Sequence, residues 1–127
     1  MVAYSFQKRF AEPIESGFKT HTIRAERKRH ARPGEAMQLY CGMRTKHCRK
    51  IIADPVCTAV HPIQIAVSIN AIEQIKIGDW PLDAAQRSRL AKADGFADLE
   101  DMHQFWVQNH GQGVFIGVIV FWGEVKI

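Results

Sequence analysis

The period of apolar and polar positions changes several times along the chain, and each change marks an expected element. Residues 3–6 predict a short strand. Over 8–16, Phe10 and Ile14 stand at i and i+4, the spacing of one helical face, and Gly17 offers a left-handed stop. Pro13 lies inside that stretch, so the helix can begin near it. Residues 20–23 look extended, Pro33-Gly34 marks a turn, and 36–41 predicts the next strand. Residues 47–69 are β-branched and apolar with Pro55 and Pro62 as interruptions, which predicts one long bulged strand or two strands meeting at a bend. Within them Ile63, Ile65 and Val67 alternate with Gln64, Ala66 and Ser68, the period of a half-buried strand.

A further strand is expected over 72–77, closed by Gly78-Asp79. Asp83 can cap a helix over 84–93 and Asp98 a second over 99–109. In the second, Leu99, Met102, Phe105 and Trp106 form a stripe at helical spacing that reads as core. Residues 114–122 are apolar on both faces, as in a central strand covered on both sides. The sum is an α+β chain: a small, partly closed β-barrel of five to six mostly antiparallel strands, flanked by three helices.

Composition narrows the setting. With 127 residues there is room for one domain, taken as 1–127. The longest apolar stretch, 114–122, is far too short to cross a bilayer. The start, Met-Val-Ala-Tyr-Ser-Phe, has no basic region leading into an apolar one, which argues against a secretory signal. A cytoplasmic protein with no membrane partner is expected. Cys41, Cys48 and Cys57 form no CxxC pair, and the 6 histidines form no HxH or HxxxH pair. Buried reduced thiols are therefore expected, with no metal and no cofactor.

Charge is uneven. Residues 1–63 carry 12 Lys/Arg against 5 Asp/Glu, a balance of +7, whereas 64–127 carry 5 against 8, a balance of −3. Five of the cations, Arg24, Arg27, Lys28, Arg29 and Arg32, fall in one short run with a single glutamate, Glu26. Such a run is either a phosphate-binding footprint or a solvated loop.

The most specific segment is Gly17-Phe-Lys-Thr-His-Thr-Ile-Arg24, followed by the basic run and then Pro33-Gly34-Glu35-Ala-Met-Gln-Leu-Tyr40. A second is Ala91-Lys-Ala-Asp94-Gly95-Phe96. Together they resemble the ASCH family, a PUA-like fold that handles RNA or nucleosides, with the match strong in these two segments and vague between them. One branch of that family, the small N4-acetylcytidine amidohydrolases, uses a lysine as base, a threonine as nucleophile and an acid as proton donor. The resemblance places those roles on Lys19, Thr22 and Asp94. It departs at two points: aspartate stands where that branch has glutamate, and His21 replaces an aliphatic residue.

The chemistry sets conditions on the fold. A threonine hydroxyl attacks only once a base takes its proton, and lysine is a base only when neutral. Bringing a lysine from about 10.4 to about 7.5 requires roughly 4 kcal/mol of differential solvation or charge. Burial and Arg24 push that way, and an ionised Asp94 pushes back. In a regular strand Lys19 and Thr22 would face opposite sides, so they converge only if 19–22 is a turn or bulge. Hydrolysis of an N4-acylated cytidine is the leading expectation. RNA or a modified cytidine nucleoside is the expected partner, with Arg24, His21, Arg27, Lys28, Arg29, Arg32 and Tyr40 as binding residues. Two other expectations stand beside it: a non-catalytic RNA-binding module, and a ribonuclease with His21 as general base. Blander readings also remain: Thr22 as a strand residue, Asp94 as a turn residue, Arg24 paired with Glu26 or Glu35, and Tyr40 and Trp80 as packing residues.

Overall fold

A computed structural model describes residues 2–125 and 127. Met1 and Lys126, at the ends of the expected domain, lie outside the described residues. The first strand, β1 (Val2–Phe6), runs into a 3-10 turn at Lys8–Phe10 and helix α1 (Ala11–Glu15). This is the expected helix over 8–16, tightened at its start and stopped by Gly17 at φ 81°. The strands that follow are β2 (His21–Ala25), β3 (Met37–Cys41), the two-residue β4 (Arg49–Lys50), β5 (Ala59–Val67), β6 (Ile72–Ile77) and the two-residue β7 (Trp80–Pro81). Helices α2 (Ala84–Ala93) and α3 (Leu99–His110) come next, and β8 (Gly113–Phe121) ends the order.

Both later helices start where their caps predict. Asp83 accepts from the Gln86 backbone while the Gln86 side chain reaches back to the Asp83 N–H, a reciprocal capping box. Asp98 accepts from the Asp101 backbone at 2.8 Å. The stripe on α3 does pack inward: Met102 and Trp106 are buried, and Phe105 packs against the core.

The strands form two sheets, β1–β3–β4 and β2–β8–β5–β6–β7. All pairings are antiparallel except β1 with β3, which run parallel from Val2↔Met37 to Phe6↔Cys41. The expected barrel does not close. β1 and β2 lie in different sheets, and arginine side chains bridge them: Arg24 donates to the Ser5 carbonyl at 2.5 Å and Arg27 to the Ala3 carbonyl at 3.2 Å. The outer edge of β2 is therefore spanned by guanidinium groups rather than by a ladder.

Two strand expectations are corrected. Residues 47–69 form neither one long strand nor two strands meeting at a bend, because β4 and β5 are separated by eight irregular residues. Pro55 has no N–H to give, and this segment follows β3 by scattered bonds, Ile51 N to Leu39 O, Met37 N to Pro55 O and Cys57 N to Glu35 O. The last strand is central as expected, between β2 and β5, but it is not covered along its whole length. Ile119, Val120 and Phe121 are buried, whereas Val114 and Ile116 lie exposed on one face. No helix among the described residues is long and apolar enough to cross a membrane.

Candidate functional site

Lys19 enters the site because the chain is irregular just before β2. Its N–H donates to the Pro13 carbonyl at 2.9 Å, and regular pairing begins only at His21. The lysine thus escapes strand alternation. With Thr22, Arg24 and Asp94 it lines one cavity of about 410 Å³, within the range of small-molecule sites. These four positions converge there from places in the chain as far apart as 19 and 94. Phe10, Phe96, Phe105 and Trp106 supply apolar wall.

At the floor of the cavity Lys19 Nζ donates to the backbone carbonyl of Asp94 at 2.7 Å and makes a short contact with its carboxylate. His21 Nε2 lies 3.0 Å from the same Asp94 Oδ1, and the His21 ring rests against Phe121. Lys19, His21, Thr22 and Asp94 are all buried. Burial pulls the Lys19 ammonium below the ordinary lysine range, with Asp94 opposing and Arg24 reinforcing that shift. For Asp94, burial alone would raise the carboxyl, but Lys19 and His21 outweigh it and hold the group below its usual value. Asp94 is therefore an ionised carboxylate at rest, not the protonated acid that a dry aspartate would become.

Asp94 is presented by a turn that only glycine suits. Gly95 has φ 102°, and a Cβ there would sit 3.1 Å from the Phe10 ring. Thr22 Oγ1 accepts from Arg24 Nε at 2.9 Å. That leaves the hydroxyl's own proton to be given away. Burial, followed by Arg27, lowers Arg24 to about 10, so the guanidinium stays charged at neutral pH. Its plane lies over Phe6, 4.7 Å from the ring centroid.

The remaining expected residues are placed differently. Arg27 lines the cavity and covers the Tyr4 ring at 4.5 Å. Arg29 pairs with Glu35 on the surface, and Lys28 and Arg32 are exposed outside the cavity lining. Tyr40 is half-buried on β3 beside Lys50, also outside it. His21 sits under Asp94 rather than at the surface. Trp80 is exposed and away from the lining. The basic run is thus partly consumed internally: Arg24, Arg27 and Arg29 all have protein acceptors.

Sequence reasoning missed the aromatic wall. Phe105 and Trp106 were legible as core, and they serve the core and the cavity at once. Ser5 and Phe6 also line it and carried no signal beyond strand propensity. Cys41 and Cys57 are buried as expected, whereas Cys48 is exposed; all three are free thiols. Among the described residues, no group of three or more His, Cys, Asp or Glu side chains is placed to hold a metal. No protein-family model, curated protein or solved structure matches the chain.

Proposed function

We propose that the chain is a PUA-like domain of the ASCH type that binds a modified cytidine nucleoside in this cavity and hydrolyses its N4-acyl amide. The observation that carries the reading is the contact of Lys19 with Asp94 inside a cavity that Thr22 and Arg24 also line. The resting ion pair and the catalytic pair differ by one proton. Moving it from Lys19 Nζ to Asp94 Oδ1 yields a neutral amine and a protonated acid with no exchange with solvent. Burial favours that neutral form relative to water, which supports a minor but accessible population.

In this form the steps balance. The neutral Lys19 takes the Thr22 proton as Oγ1 attacks the acyl carbon. Arg24, already donating to Oγ1, steadies the charge on that oxygen as the bond forms. The carbon–nitrogen bond breaks, and Asp94 returns its proton to N4, releasing cytidine and an acyl-threonine ester. The ion pair is thereby restored. A second transfer within the pair lets Lys19 take a proton from water as its oxygen attacks the ester carbon; Asp94 gives its proton to the departing Thr22 oxygen, and the released acid loses its own proton to solvent as a carboxylate. Aspartate is shorter than glutamate by one carbon–carbon bond, about 1.5 Å. The turn at Gly95, close against Phe10, supports an inward position for it.

Purified protein incubated with N4-acetylcytidine should release cytidine, followed by chromatography. Thr22→Ala should abolish release. Binding without turnover in the wild type would instead favour a non-catalytic RNA-binding module in which the Lys19–Asp94 pair only anchors.

A further inference from the structure

A second cavity, of about 800 Å³, adjoins the first and shares Ser5, Phe6 and Gln7 with it. Its chemistry differs. Lys8, His47 and Arg49 line it, and Lys8 and Arg49 are exposed cations. Arg49 does meet Glu15 at 2.8 Å, but both side chains are about half exposed, so that pair is easily exchanged for another anion. The end of β1 thus borders both cavities. On one side lies the buried Lys19–Asp94 site, and on the other an open basic depression.

We propose that this depression is a phosphate subsite, so that the preferred ligand of the first cavity is a phosphorylated cytidine rather than the free nucleoside. The inference rests on the nucleoside reading above and names its substrate class. The pose this requires is a base laid against the aromatic wall with its sugar toward the cavity mouth. A phosphate on that sugar, crossing the shared border at Ser5–Gln7, then meets Lys8 and Arg49. Lys8 offers a point charge and Arg49 a planar fork, both suited to phosphate oxygens. The phosphate can be terminal, as in a nucleotide, or a diester leading to a neighbouring residue.

The test compares cytidine, cytidine 5′-monophosphate and the dinucleotide CpC by calorimetry. In parallel, turnover is followed with N4-acetylcytidine, its 5′-monophosphate and the matching dinucleotide. Phosphate-bearing ligands should bind at least about tenfold tighter at low salt. That advantage should shrink as salt is raised, because Lys8 and Arg49 are exposed charges that salt screens. In the double variant Lys8→Glu, Arg49→Glu the advantage should vanish while nucleoside affinity is unchanged. An advantage already present with the monophosphate assigns a terminal phosphate; one present only with the dinucleotide assigns a diester. Equal affinity for all three ligands overturns the subsite, as does an advantage that survives the double variant. A phosphate advantage without any turnover would sustain the subsite and sink only the hydrolase reading.

Discussion

Lys19 and Asp94, 75 residues apart in the chain, meet through two contacts from one ammonium nitrogen, to the backbone carbonyl and to the carboxylate of Asp94. Both side chains are all but sealed from solvent, at 3% and 8% exposure. The pair ties the start of β2 to the end of α2 and sets the charge of the cavity floor.

Removing one partner should cost more than removing both. Lys19→Met leaves the Asp94 carboxylate buried without its main counter-charge and should destabilise the fold by about 3–5 kcal/mol. Adding Asp94→Leu to it should recover part of that loss. Urea unfolding of the wild type, the single and the double variant reads the comparison. A double variant less stable than the single would contradict it.

The pair also shapes the acid limb of stability. The Asp94 carboxyl is held below its unfolded-state value of about 3.9. Its contribution is therefore fully present above that value and is lost as pH falls through the lower folded-state one. Thermal melts of Asp94→Asn between pH 5 and 2 should be flatter than those of the wild type. Lys19 acts in the opposite sense: its lowered value means that protonated Lys19 costs stability, a cost relieved as pH rises toward about 10.4.

Much of this was legible in the chain and some was not. Asp83 and Asp98 cap their helices because a side-chain oxygen three residues ahead of a free N–H is a local device, readable from order alone. The convergence of Lys19 with Thr22 was not readable, since it depends on where strand pairing begins, a property of β8 as much as of β2. The open seam between β1 and β2 was hidden for a related reason. Arg24 and Arg27 looked like phosphate ligands, and they serve partly as side-chain substitutes for a backbone ladder.

His21 stands where the resembling branch has an aliphatic residue, and its contact with Asp94 Oδ1 helps hold that carboxyl low. His21→Leu should fill the same space against Phe121 while releasing the carboxylate. The acid limb of the pH–rate profile should then move to higher pH, with nucleoside affinity unchanged. A limb that stays in place would mean that His21 only packs.

Gly95 is required twice over, by its φ of 102° and by the Phe10 ring. Gly95→Ala should destabilise the protein by about 1–3 kcal/mol and displace Asp94 from Lys19. Urea unfolding measures the first effect and turnover the second; a neutral alanine would show that the turn tolerates a side chain.

In the proposed hydrolysis Asp94 relays a proton between Lys19 and the leaving amine, and the Asp94→Asn variant isolates that role. Asparagine keeps the shape and can still meet Lys19, but it has no acid proton to give. Steady-state hydrolysis of N4-acetylcytidine should fall by about 10²–10⁴ in kcat, the range for loss of a general acid, while cytidine affinity stays close to that of the wild type. Full activity in the asparagine variant would contradict the account and leave Asp94 as a buried counter-ion in a turn.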